Sequence, residues 1–254
     1  RNHFKTPAEF IQWAFFLENS HMEISRVEAL SQRIVQSYAW GDAVWHVWGS
    51  LKASAAPTNA DVANGGHQPL QRPIVLLHGG SGSWTHWLRN VEHFAEHREV
   101  WALDIPGFGD SSLPAGVTDA DGLVPYLADI LTQSFHGQAV DVLGFSFGGM
   151  TAGFIAAHHP ELVHELMLIG IPALGMFGQS RPLRGMREDM TAQERDAVLH
   201  HNLLQLMLHK PESIDDETLR IQDRNVLRDR MKRRRIARGD ILLELQKRWA
   251  CPVH

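Results

Sequence analysis

From residue 73 to residue 172 the apolar positions fall into short continuous runs separated by amphipathic stretches. "IVLL" at 74–77, "EVWALD" at 99–104, "AVDVLGF" at 139–145 and "ELMLIG" at 165–170 each predict a strand buried on both faces. Between them Trp84, Trp87, Val91 and Phe94 recur at helical spacing, and further helices are predicted over about 123–135 and 150–158. Buried strands alternating with helices predict a mostly parallel, doubly wound α/β sheet. Upstream, Thr6-Pro7-Ala8-Glu9 supplies a cap, an N1 proline and an N3 glutamate for a helix reaching about residue 17. Ser25 and Glu28 form a second capping box, and Val27, Leu30, Ile34 and Tyr38 follow at helical spacing, so a second helix is expected there. Residues 44–48, rich in β-branched and aromatic side chains, predict a strand. Residues 53–72 are rich in Ala, Asn, Gly and Pro without any period and predict an exposed loop. Past Pro172 the strand pattern stops, and 191–249 is helical in pattern, heavily charged and divided by Pro211, which suits a second lobe laid over the sheet.

Composition narrows the function classes. A chain of 254 residues with net charge −5 gives no reason to expect a nucleic-acid partner. A single cysteine, Cys251, allows no internal disulfide, so a reducing, cytoplasmic setting is expected. The most apolar window, 139–157, is interrupted by Asp141, Ser146 and four glycines, so a strand, turn and helix explain it better than a membrane span. "FIQWAFFL" at 10–17 lacks the small-residue cleavage site of a signal peptide.

The candidate chemistry lies in "DVLGFSFGGM" at 141–150, where a buried strand breaks on a serine set between glycines. A strand that reverses at once into a helix forces strained φ/ψ on its turn residue and leaves no room for side chains at flanking positions. Gly144 and Gly148 supply that room, and Gly149 adds to it, so the Ser146 hydroxyl is held clear at a helix N-terminus. Two further stretches follow earlier strands: "HGGSGS" at 78–83 and "LDIPGFGDSS" at 103–112.

Together, in this order and spacing, these motifs resemble the α/β-hydrolase fold family, in its serine-nucleophile, cap-bearing branch. The resemblance covers about 44–254 and is strongest over 73–171. It implies Ser146 as the nucleophile, with the backbone N–H groups of Gly80 and Phe147 as the oxyanion hole and Gly144 and Gly148 as the glycines of the nucleophile turn. It implies that His78 shapes its loop and is not a base. A serine at 146, where the dehalogenase and epoxide-hydrolase branches carry a carboxylate, argues against those branches. The implied organisation is an N-terminal helical extension over 1–42, a core over 43–172, a helical cap inserted after the sixth strand over 173–245, and the start of a returning core strand over 246–254. The implied activity is hydrolysis of an ester or related small, largely apolar acyl substrate. Carbon–carbon bond hydrolysis of a diketone-like acid is a close variant, and a non-catalytic protein binding a small ligand under its cap is the alternative. No metal or organic cofactor and no membrane partner is implied.

Three features compete with this picture. His93-Phe94-Ala95-Glu96-His97 matches the inverted zinc-protease motif, yet no third-ligand signature accompanies it, and a surface helix is expected. "RDRMKRRRIAR" at 228–238 is bracketed by acidic residues and is expected to be the solvated face of a lobe helix. Met176, Phe177, Met186, Met190, Leu203, Leu206 and Met207 suit an apolar pocket or the core of the lobe equally well. In the family a serine is activated by an acid and a histidine that come later in the chain. The position just past "ELMLIG" reads Ile171-Pro172-Ala173 and offers no acid, and "ACPVH" at 250–254 resembles the opening of the strand before the acid loop. With Arg1 in place of an initiator Met, the expectation is a fragment lacking the last strands, the acid and the base, and inactive alone.

Overall fold

The computed structural model describes residues 24–49, 72–96, 98–175, 182–231 and 234–254. The helix expected over residues 6–17 and the loop over 53–71 lie outside these. Among the described residues six strands form one sheet: β1 (Gln32–Tyr38), β2 (Gly41–Trp48), β3 (Ile74–Leu77), β4 (Val100–Asp104), β5 (Val140–Phe145) and β6 (Val163–Ile169). Their order is β1-β2-β4-β3-β5-β6. Pairing is antiparallel from β1 to β2 and from β2 to β4, and parallel across β4, β3, β5 and β6. This is the α/β arrangement the apolar runs predict.

Continuous apolar runs work here because the sheet carries two cores. Val75 and Leu77 face one side with Leu103, Val142, Phe147 and Met150. Ile74 and Leu76 face the other with Trp48, Trp84, Trp87 and Phe94. The helices of the region are α1 (Ile24–Ala29), α2 (Val91–Ala95), α3 (Val124–Ser134) and α4 (Phe147–His158). Helix α4 is buried along almost its whole length, because Gly148, Gly149, Ala152, Gly153, Ala156 and Ala157 let it lie close to its neighbours.

The second capping box does not carry a helix to Tyr38. Helix α1 stops at Ala29 and the chain becomes edge strand β1. Ile34 and Tyr38, four residues apart, fit a helical period and an alternating strand equally; in the strand both pack against the sheet core while Leu30 stays exposed. The N-terminal extension expected over 1–42 is therefore part of the sheet from Gln32 onward.

After β6 come α5 (Ala192–Leu206), α6 (Asp216–Leu227) and α7 (Ile241–Leu245). Thr191 and Glu194 close a reciprocal capping box at the start of α5. Helix α7 and the residues after it return to the core: Leu242 is fully buried, and Trp249 Nε1 donates to Gly153 O on α4 at 2.8 Å. The last residues lie beside β6, with Leu166 N donating to Pro252 O and His254 N donating to Leu166 O. No helix among the described residues is long and apolar enough to cross a membrane.

Candidate active site

Strands β3 and β5 are parallel neighbours with Leu77 opposite Gly144, so the loops after both leave the same rim side by side. At the end of β5, Ser146 has φ +51° and ψ −114°. Such a conformation costs a non-glycine residue about 1–3 kcal/mol and persists only where its surroundings impose it. Those surroundings are backbone. A Cβ on Gly144 would lie 2.4 Å from Gly149 Cα, and one on Gly148 would lie 2.2 Å from Leu77 O and 2.5 Å from His78 O. On Gly149 it would lie 2.4 Å from Ile171 Cγ2. Helix α4 is thus pressed onto the ends of β3 and β5, and the chain can enter it only through a sharp reversal. Ser146 N donates to Ile169 O at 2.8 Å, and the Ser146 side chain does not cap the helix that follows. Phe147 N, first in that helix, has no intrahelical acceptor available to it.

The loop after β3 is tied to its neighbours by two neutral imidazoles. His78 is fully buried; one ring nitrogen, Nδ1, donates to Gly79 O at 2.8 Å, and the other, Nε2, accepts from Ile105 N at 3.0 Å. Burial, reinforced by His86, pushes its pKa down to about 3. His86 Nδ1 accepts from Gly79 N at 3.2 Å, and burial lowers its pKa to about 4. Buried Asp104, at the end of β4, accepts from Trp84 N and Asp110 N at 2.8 Å each, and burial raises its pKa to about 6. His78 therefore acts on loop shape, joining the loops after β3 and β4.

The basic run takes a different form from the one its charge pattern predicts. Helix α6 ends at Leu227; beyond it Arg230, Arg235 and Arg238 are exposed, while Arg228 and Arg230 reach acceptors on the loop after β4. Arg228 pairs with Asp110, and Arg230 donates from its Nη2 to the carbonyls of Phe108, Gly109 and Ser111. Arg230 N also donates to Gly107 O at 2.9 Å. Asp229 is buried, accepts from Ser81 Oγ at 2.7 Å and pairs with Arg234. A Cβ on Gly80 would lie 2.6 Å from Arg234 Nη1. Charge pattern alone missed Asp229 and Arg234. The available signal was the near absence of apolar residues, only Met231, Ile236 and Ala237, which leaves a helix no face to bury.

Of the apolar candidates, Leu203 and Met207 line a cavity of about 140 Å³ between the 84–90 segment and helices α5 and α6, with Thr85, His86, Ile221 and Gln222. Leu206 is half exposed, and Met176 and Phe177 lie outside the described residues. His97 of the zinc-like motif is also outside them.

Residues 72–220 match the family model described as alpha/beta hydrolase fold. The chain is 33% identical over 106 residues to epoxide hydrolase 4 of Mus musculus, covering 41% of this chain and 29% of that protein. It is 35% identical over 102 residues to 2-hydroxy-6-oxo-2,4-heptadienoate hydrolase of Pseudomonas putida, covering 39% of this chain and 37% of that protein. The matched span is thus well under half the length of either relative. Among solved structures, the esterase RhEst1 from Rhodococcus sp. ECU1013 superposes with a TM-score of 0.62 at 21% identity, covering 88% of this chain and 78% of that one.

Proposed function

Because this chain belongs to the alpha/beta hydrolase fold family, we propose that it forms the nucleophile-bearing part of a serine hydrolase acting on esters or related acyl substrates. The observation that carries this is Ser146 itself, held at φ +51° by glycines whose Cβ positions are filled by backbone. A turn residue that only had to reverse the chain would be glycine at no conformational cost, so a strained serine there points to use of its hydroxyl. Ser146 Oγ gives its proton to a base and bonds to the acyl carbon, and the carbonyl electrons move onto oxygen. Phe147 N–H, at the positive end of α4, and Gly80 N–H on the adjoining loop are the donors suited to that oxyanion. Collapse of the adduct expels the alcohol, and water then frees the acyl group from Ser146. A hydroxyl nucleophile favours acyl transfer over the epoxide chemistry in the name of one relative, and leaves carbon–carbon hydrolysis, in the name of another, as a variant of the same attack. The residues between β6 and α7 act as a cap, with the cavity beside Leu203 and Met207 receiving the apolar part of the substrate. None of the side-chain hydrogen bonds among the described residues brings a histidine or carboxylate to Ser146 Oγ, so base and acid are assigned to none of them.

The test uses the protein expressed from its natural reading frame and a series of p-nitrophenyl esters of increasing acyl length. Ser146→Ala is expected to lower kcat/KM by about 10⁴-fold or more for every ester accepted. Unchanged hydrolysis in Ser146→Ala would remove the assignment.

A further inference from the structure

Two serines in the loops at this rim have positive φ, Ser146 and Ser81, each at +51°. Such a conformation persists only where its surroundings impose it. At Ser146 the strand ends and α4 do so. At Ser81, which directly follows Gly80, the hydrogen bonds come from the lobe. Gln222 Nε2 donates to Ser81 O at 3.1 Å, and Ser81 Oγ donates to buried Asp229 at 2.7 Å. Two residues further along the loop, Ser83 Oγ donates to Asn225 Oδ1 at 2.8 Å, and Asn225 Nδ2 donates to Thr85 Oγ1 at 3.0 Å. Ser83 Oγ also accepts from Thr85 N at 3.3 Å, capping the single turn over 84–87. Gln222, Asn225 and Asp229 stand at i, i+3 and i+7, one face of α6 and of the residues just beyond it. Asn225 is only 3% exposed. A helix that merely rested on this loop would do so with apolar side chains, which need no partners. A buried amide is tolerated only where partners stand at matching positions, so it fixes the loop in one register. All of these bonds fall within 81–85, next to Gly80.

Resting on the assignment of Ser146 as nucleophile and Gly80 N–H as an oxyanion donor, we infer that Asn225 and Gln222 are positioning residues. From the lobe they hold loop 81–85, and with it Gly80 N–H, where the oxyanion forms. Thr85 and Gln222 also line the cavity assigned to the apolar part of the substrate, so the wall of that cavity and the oxyanion loop are one hydrogen-bonded unit. The charge that Gly80 N–H meets develops only as Ser146 attacks. Its alignment therefore acts on the transition state and not on the binding of substrate.

The test is turnover of p-nitrophenyl esters by the protein from its natural reading frame and by its Asn225→Leu variant, which fills the same space without holding Ser83 or Thr85. The kcat is expected to fall about tenfold or more while KM stays within about threefold. An alkyl trifluoromethyl ketone, whose adduct with Ser146 carries the oxyanion, is expected to lose affinity by the same factor as kcat/KM. Asn225→Asp, which still accepts from both hydroxyls, is expected to recover kcat to within about threefold. An unchanged kcat in Asn225→Leu, a rise in KM alone, an unchanged ketone affinity, or an Asn225→Asp variant as slow as Asn225→Leu would each overturn the inference. If Asn225→Leu does not fold, half-buried Gln222→Met carries the same expectation for kcat and ketone affinity, and unchanged values there overturn it equally. Failure of the underlying assignment reads differently. A fluorophosphonate that leaves Ser146 of the unsubstituted protein unlabelled removes the nucleophile, whereas labelled Ser146 with normal turnover in Asn225→Leu removes the positioning role alone.

Discussion

The turn at Ser146 and the arginine segment at 228–236 meet on one rim of the sheet and are held there by opposite means. At the turn, backbone presses on backbone at Gly144 and Gly148 and the Ile171 side chain fills the space at Gly149, so none has room for a methyl group and the conformation follows from strand, helix and their contact. At the described residues of the arginine segment, 228–231 and 234–236, the backbone is irregular, and position comes from hydrogen bonds in which one partner is a charged side chain, made to loops more than a hundred residues away in sequence. The first arrangement is insensitive to charge and intolerant of volume. The second should be the reverse, and each half of that contrast can be broken separately.

The largest expected effect is at Gly148. An added Cβ would meet Leu77 O and His78 O at 2.2 and 2.5 Å, and neither carbonyl can rotate away as a side chain would. Gly148→Ala is expected to lose about 3 kcal/mol or more in chemical denaturation, or to fail to fold. A loss below 1 kcal/mol would mean that α4 can lift from the strand ends, and the strain argument for Ser146 would weaken with it.

Next comes the pH dependence of the loops at the rim and of the adjoining strand β2. His78, His86 and His46 have folded pKa values of about 3, 4 and 4, lowered mainly by burial from an ordinary 6.5. The unfolded chain therefore binds protons there that the folded chain does not, and stability falls as pH drops from 6.5 towards 4. Asp104 works the other way. Its raised pKa, about 6, means the folded state holds a proton that the unfolded carboxyl has released, so its contribution is favourable near pH 4 and is lost as pH rises to 6. Three protons against one leaves a net loss on acidification, steepest near pH 5 and roughly 2 kcal/mol per pH unit. Denaturation midpoints flat between pH 7 and 4.5 would contradict these burials.

Those loops also show why legibility in the sequence was uneven. Strands β3 to β6 are readable because burial on both faces demands unbroken apolar runs, and the Ser146 turn because only glycine fits the flanking contacts. Strand β1 was not readable: Ile34 and Tyr38 satisfy two periods at once, and its partner β2 decides between them. The arginine segment was least readable, since the carbonyls of 108–111 that Arg230 reaches exist as a target only once the loop after β4 has folded. Charge runs are usually solvated, and Arg230, Arg235 and Arg238 stay exposed here; what the sequence does not show is the acceptors that Arg228, Arg230 and Arg234 find.

A smaller effect is expected at Asp229. Its side chain is 5% exposed and that of its partner Arg234 is 28% exposed, so solvent screens part of the pair. Asp229→Asn is expected to cost about 1–2 kcal/mol. Amide hydrogen exchange should quicken in 229–236 and around Ser81 while β5 and α4 stay protected. Equal acceleration in α4 would show that the two regions are one cooperative unit and that the contrast between them is false.

The central claim, that the strained serine is a nucleophile, is tested most directly by a fluorophosphonate probe read by intact mass and peptide mapping. In the protein from its natural reading frame, one equivalent is expected on the peptide carrying Ser146, with none in Ser146→Ala. No adduct, or an adduct that persists in Ser146→Ala, would contradict it.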